Sequence, residues 1–109
     1  MATTEATSGV LNEAVRRLVE VYRPERIYLF GSTARDDDHE DSDLDLLVVV
    51  SDDAGPAERR SRRAYEVLWG LGVAVDVVVW SHSVFEARRH LQASLPGTVV
   101  REGKPLYAA

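Results

Sequence analysis

The sequence predicts an α/β chain of the α+β kind, a mixed β-sheet with helices packed on it. Three observations predict this. Short β-branched runs alternate with segments of helical period, the pattern of a sheet covered by helices. One run, "LDLLVVV" at Leu44–Val50, is apolar almost throughout, as strands buried on both faces are. Glycines stand at the ends of the runs, at Gly31, Gly55, Gly70 and Gly72, where turns need them.

The elements follow in order. Residues 1–8 are small and polar and read as a disordered tail, leaving 9–109 as the folded domain. Ser8 is placed to cap a helix. Leu11, Ala14, Val15, Leu18, Val19 and Tyr22 keep a 3.6-residue period, and Glu13, Arg16, Arg17 and Glu20 fill the other face. That is an amphipathic helix ending before Pro24. "RIYLF" at Arg26–Phe30 is a short strand stopped by Gly31, and a short helix can start there. The strand Leu44–Val50 comes next, then a loop from Ser51 to Gly55. Pro56 suits the first turn of a helix, and Gly70 or Gly72 its end. "VAVDVVVW" at Val73–Trp80 is the most β-branched strand. Ser81 or Ser83 can cap a further helix through Ser94, ended by Pro96-Gly97. "TVVREGKPLY" closes the chain as a short strand with a turn at Glu102-Gly103.

Composition narrows the function. With 109 residues the chain can bury a core but has no room for a second lobe. A job needing two substrates in a closed cleft would therefore draw on another subunit. The net charge of −5 argues against direct nucleic-acid binding. With no cysteine, disulfides, thiolate metal sites and a cysteine nucleophile are excluded. The start "MATTEATSGV" lacks the basic region and apolar run of a signal peptide, and no apolar stretch is long enough to span a bilayer. A cytoplasmic protein away from membranes is expected.

One constellation carries chemistry. Gly31-Ser32 follows a strand directly. Asp43-Leu44-Asp45 lies at the start of the next, and Asp76 interrupts the third. Residues i and i+2 of a strand share a face, so Asp43 and Asp45 project together. Two adjacent carboxylates stay ionised comfortably only with a cation between them. Hard divalent ions such as Mg²⁺ take such oxygen ligands and keep substrate phosphates. An Asp in an apolar strand needs a partner, and Asp76 can complete the set if the strands are neighbours. Gly31 permits close backbone approach. A helix starting there would present free N–H groups to a phosphate, with the Ser32 hydroxyl beside them.

"GSTAR", "SDLDLLVVV" and "VDVVV" together resemble the DNA polymerase β-type nucleotidyltransferase superfamily: Gly-Ser, a spacer of about ten residues, Asp-x-Asp, and a third Asp on a later strand. The small size resembles the minimal nucleotidyltransferases, antitoxins of HEPN-domain toxins. This chain carries Asp36 where many relatives have glycine. The resemblance implies a polymerase β-like core with Gly31, Ser32 and Arg35 at the triphosphate of ATP. Asp43 and Asp45 would hold two Mg²⁺ ions. Asp76 would bind the catalytic metal and help deprotonate the acceptor hydroxyl. It further implies transfer of AMP to a protein hydroxyl, a tyrosine of the partner toxin. Two rivals are a non-catalytic antitoxin that masks its toxin and a nucleotidyltransferase acting on a small molecule.

Other features have plainer readings. Asp36, Asp37, Asp38, Glu40 and Asp41 read as a hydrated loop rather than ligands. An EF-hand fails because "DDDHEDSDLDLL" lacks the mid-loop glycine and closing glutamate. Arg35 suits a phosphate or a structural carboxylate equally. Arg59, Arg60, Arg62 and Arg63 read as a solvated helix face, with docking to an acidic partner as the alternative. His39, His82 and His90 lack a ligand spacing, and Trp69 and Trp80 suit a core or an interface.

Overall fold

The computed structural model describes residues 2–30, 44–54, 61–72 and 75–109, the side chains of 2–8 and 61 excepted. Along the chain run α1 (Ala2–Tyr22), β1 (Arg26–Phe30), β2 (Leu44–Val50), α2 (Ser61–Val67), β3 (Val75–Ser81), α3 (His82–Arg88), α4 (Leu95–Glu102) and β4 (Lys104–Ala108). Among the described residues one sheet forms, in the order β3-β2-β1-β4. β1 is antiparallel to β2 and β4, and β2 is parallel to β3. The sheet is therefore mixed, as its class requires.

β2 is the spine. Leu44, Leu46, Val48 and Val50 point to one face, where they meet Ala14, Leu18 and Tyr22 of α1 and Ala64 of α2. Leu47 and Val49 point to the other, against Tyr28, Phe85 of α3 and Val99 of α4. The near-continuous apolar run is thus explained by two cores rather than one. On the second face the Tyr28 and Phe85 rings stack, with centroids 5.7 Å apart.

α1 buries the stripe predicted for it: Ala14 and Leu18 are fully inaccessible. Its other face is laced by Arg16–Glu13 at 2.6 Å, Arg16–Glu20 at 3.1 Å and Arg17–Glu13 at 2.7 Å. Arg17 also reaches across to α2, donating to the Val67 and Trp69 carbonyls at 3.1 and 3.3 Å. Carbonyls at a helix C-terminus lack intrahelical donors, so the guanidinium caps α2 while Glu13 holds it in place. α1 ends with Arg23 at φ 47. That left-handed turn lets the Arg23 N–H reach the Val19 carbonyl at 3.0 Å, and Pro24 cannot continue the helix.

Several boundaries differ from expectation. α1 includes residues 2–8, ahead of the start expected at Ser8. Ala2, Glu5 and Ala6 are good helix formers, and no proline intervenes. The helix expected through Ser94 is instead two. α3 stops at Arg88, and Ser94 begins α4, its hydroxyl oxygen accepting from the Gly97 N–H at 3.1 Å. Pro96-Gly97 therefore starts a helix rather than ending one, because proline is tolerated in a first turn. Neither Ser81 nor Ser83 caps α3 through its hydroxyl. Ser81 stands at the N-cap without a side-chain bond. The Ser83 N–H donates to the Asp52 carboxylate at 2.8 Å, a cap supplied by the loop after β2. The end of the chain forms β4 on the outer edge of β1. Trp69 is 86% exposed and so is no core residue. No helix among the described residues is long and apolar enough to cross a membrane.

This packing makes three predictions. Arg17→Ala removes the charged cap between α1 and α2 and should lower stability by about 2 kcal/mol in urea unfolding. Hydrogen bonds from Arg16 and then Arg17 hold the Glu13 carboxyl at about 2, against an ordinary 4.5. A depressed acid stabilises above its unfolded value and loses that contribution as pH falls toward its folded one. The melting-temperature gap between wild type and Glu13→Gln should therefore be full above pH 4.5 and close as pH approaches 2. Gly103→Ala probes the seam between α4 and β1. A Cβ there would lie 2.6 Å from the Val99 carbonyl oxygen and 2.8 Å from that of Leu29. Both obstacles are backbone, so the variant should lose about 1–3 kcal/mol, read from the urea midpoint.

Candidate active site

Strand pairing alone gathers the candidate chemistry. The antiparallel β1–β2 ladder sets Phe30 opposite Asp45. The parallel β2–β3 ladder sets Asp45 beside Asp76. Phe30, Asp45 and Asp76 thus form a row across three strands, where β1 ends and β2 and β3 begin. Alternation fixes their direction. Asp45 shares a face with Leu47 and Val49, Phe30 with Tyr28, and Asp76 with Trp80. That is the face packed by α3 and α4.

The two carboxylates therefore stand on neighbouring strands and project from one face. Strand spacing puts their Cα atoms about 4.8 Å apart. Asp45 is half-buried and Asp76 exposed. At such a separation two like charges in a water-like medium repel by about 1 kcal/mol, and more where water is excluded. Paired carboxylate oxygens are the donor set that hard divalent cations take. Among the described residues no group of three His, Asp or Glu gathers as a metal site. The third carboxylate expected, Asp43, lies outside the described residues.

Gly31, Ser32 and Arg35 also lie outside the described residues. Gly31 is joined directly to Phe30, the register partner of Asp45. The structure thus brings together Asp45 and Asp76, and ends β1 beside them. Asp76 stands second in β3 as described and is exposed, and residues 73 and 74 of the expected strand lie outside the described residues. β3 is an edge strand, so no described strand covers the far side of this carboxylate.

A residue that sequence reasoning passed over completes the picture. Tyr65 of α2 donates its hydroxyl to Asp76 Oδ1 at 3.4 Å. α2 packs against the opposite face of the sheet through Ala64, and Tyr65, one position along, reaches past the edge of β3. The chain returns from α2 to β3 through Gly70 and Gly72, at φ 89 and 83, values that side-chain-bearing residues rarely adopt. Beside Tyr65 an open hollow of about 410 Å³ is lined by Trp69, Leu71 and Val75. Nothing in the spacing of Tyr65 and Asp76 signals their contact, because it depends on how α2 docks.

Residues 10–101 match the family model of the nucleotidyltransferase domain. The chain is 32% identical over 99 residues to the "Putative protein adenylyltransferase MJ0604" of Methanocaldococcus jannaschii, spanning 89% of this chain and 94% of that protein. Among solved structures, a "putative minimal nucleotidyltransferase" is 33% identical, with a TM-score of 0.54 over 96% of this chain and 94% of its own. A crystal structure of a toxin-antitoxin with AMP-PNP is 26% identical, with a TM-score of 0.57 over 89% of this chain and 73% of its own.

The paired carboxylates generate their own prediction. Asp76→Asn keeps an acceptor for the Tyr65 hydroxyl and removes one of two adjacent charges. In buffer free of divalent cations it should raise the melting temperature, because like charges side by side across a ladder destabilise it. A lower value would show that Asp45 and Asp76 do not repel in the folded protein.

Proposed function

The chain belongs to the nucleotidyltransferase domain family, and on that premise we propose that it transfers AMP from ATP to a hydroxyl of a partner protein. We further propose that this partner is a HEPN-domain toxin, that the acceptor is a tyrosine, and that the chain is its antitoxin. Residues 9–109 would form the nucleotidyltransferase domain, working in the cytoplasm where ATP is abundant. The observation that carries this reading is the register of Asp45 beside Asp76. It gives two of the three acidic residues of the family motif one face and one end of the sheet. The names of two relatives support the finer reading: one, of similar length, is named "Putative protein adenylyltransferase MJ0604", and one is a toxin-antitoxin with AMP-PNP.

In this reading each group has one task. Gly31 and Ser32 hold the triphosphate through backbone N–H groups and a hydroxyl, and Arg35 contributes charge. Asp43, Asp45 and Asp76 hold Mg²⁺, two ions by family analogy. When bound, the metal neutralises the acidic row and stabilises charge on the attacking and leaving oxygens. The acceptor oxygen attacks the α-phosphorus of ATP. The bond from that phosphorus to the bridging oxygen breaks, and pyrophosphate leaves. Asp76 takes the acceptor proton, a role its exposure on the edge strand favours. A carboxylate in reach of the acceptor proton is what general-base catalysis requires.

In this reading a partner brings the acceptor hydroxyl. The protein encoded beside this chain, incubated with it in ATP and Mg²⁺, should gain mass in whole AMP units. Asp45→Asn should slow that gain roughly a hundredfold or more, the rate equivalent of several kcal/mol of transition-state stabilisation. A partner that is inhibited yet unmodified would sink the catalytic account and leave masking by contact. Transfer to an aminoglycoside or another small alcohol, and not to protein, would point to the small-molecule reading.

A further inference from the structure

We propose that Tyr65 is itself an acceptor, and that this chain adenylylates its own Tyr65. The inference rests on the proposed function and extends it to a modification site within the chain. Its foundation is the contact between the Tyr65 hydroxyl and Asp76 Oδ1 at 3.4 Å. An acceptor hydroxyl must sit within hydrogen-bond reach of the group that takes its proton, and such bonds are often long before substrate binds. Tyr65 meets that condition through its contact with Asp76. No rearrangement of the sheet is needed to bring the two together.

The chain has four tyrosines, and they are not equivalent. Tyr22 is 4% exposed and Tyr28 is 9% exposed, both held in the cores. Tyr107 is half-buried in β4, beyond β1 on the far edge of the sheet from Asp76. Tyr65 is 46% exposed and enters from the open side of edge strand β3. The hollow lined by Trp69, Leu71 and Val75 leaves its ring space to turn. A tyrosine oxygen is among the nucleophiles that proteins use in covalent steps.

The chemistry balances without another reactant. The Tyr65 oxygen bonds to the α-phosphorus of ATP. The bond to the bridging oxygen breaks, and pyrophosphate departs with its electron pair. The phenol proton passes to Asp76 and on to water. The product is a phosphodiester on Tyr65, placed against Asp76, where it obstructs any later acceptor. One AMP per chain is therefore the limit. Self-modification would withdraw the transferase from work when no partner occupies the edge.

The test uses the full chain, ATP and Mg²⁺, with intact-mass measurement and peptide mapping. The expected result is one AMP unit on the peptide containing Tyr65, with a half-time independent of protein concentration. Tyr65→Phe should lose it entirely. Protein purified from cells should already carry a fraction so modified. AMP mapped to another residue overturns the proposal, as does a half-time that shortens with concentration. The protein encoded beside this chain is included in a parallel reaction. AMP on that protein with Tyr65 bare in both reactions overturns self-adenylylation and leaves the proposed function standing. AMP on neither protein removes both. Mapping on the wild-type chain decides the matter even where the Tyr65→Phe variant does not fold.

Discussion

The structure depends on β2 having no solvent face. Six of its seven residues are buried, alternately toward α1 with α2 and toward α3 with α4. A slip of one residue would carry Asp45 from one face to the other, into the core that holds Leu18, Leu46 and Val48. A carboxylate there would lose its hydration without a partner, at a cost far above that of shifting a neutral strand. Asp45 is the charged residue that makes the register expensive to change. The same register sets it beside Asp76 and opposite Phe30. The stability of the sheet and the assembly of the acidic row are therefore one constraint.

That arrangement explains where charge is tolerated. Both acidic residues stand at the beginnings of strands, one half-buried and one exposed, while the interiors of the same strands are apolar. Water and a cation can reach the end of the sheet, so repulsion between Asp45 and Asp76 is screened there. Midway along β2 it would not be. Asp76 gains a further advantage from being on an edge strand. It is exposed there, and the Tyr65 hydroxyl reaches it from beyond the sheet edge.

α2 links this site to the rest of the fold through few anchors. Ala64 is buried against the sheet, and Arg17 of α1 holds the carbonyls at its end. Glu13 orients Arg17 in turn. A pair of surface charges on α1 thus reaches, through α2, to the hydroxyl that touches Asp76. Such ion pairs contribute little to stability when exposed, and their value here lies in placing a helix whose buried surface is small.

Much was legible in the amino acids because it is local. The period of α1, the apolar run of β2 and the β-branched run of β3 reflect burial, and burial follows side-chain chemistry. The Gly-Ser and Asp-x-Asp spacing identified the family for a similar reason, since Asp43 and Asp45 share a face in any extended strand. Local rules failed at Ser94, where one capping hydroxyl divided the expected helix in two, and at Pro96-Gly97, which can open a helix as readily as close one. They left Trp69 between core and interface, and its exposure removes the core reading. By itself, then, the sequence determined the class of the sheet and the identity of the family. Only the tertiary structure decided that β3 lies parallel to β2 in the register that joins Asp45 to Asp76, and that Tyr65 meets Asp76 at the edge. Both are contacts between segments distant along the chain, chosen by the packing of whole faces rather than by the residues that touch.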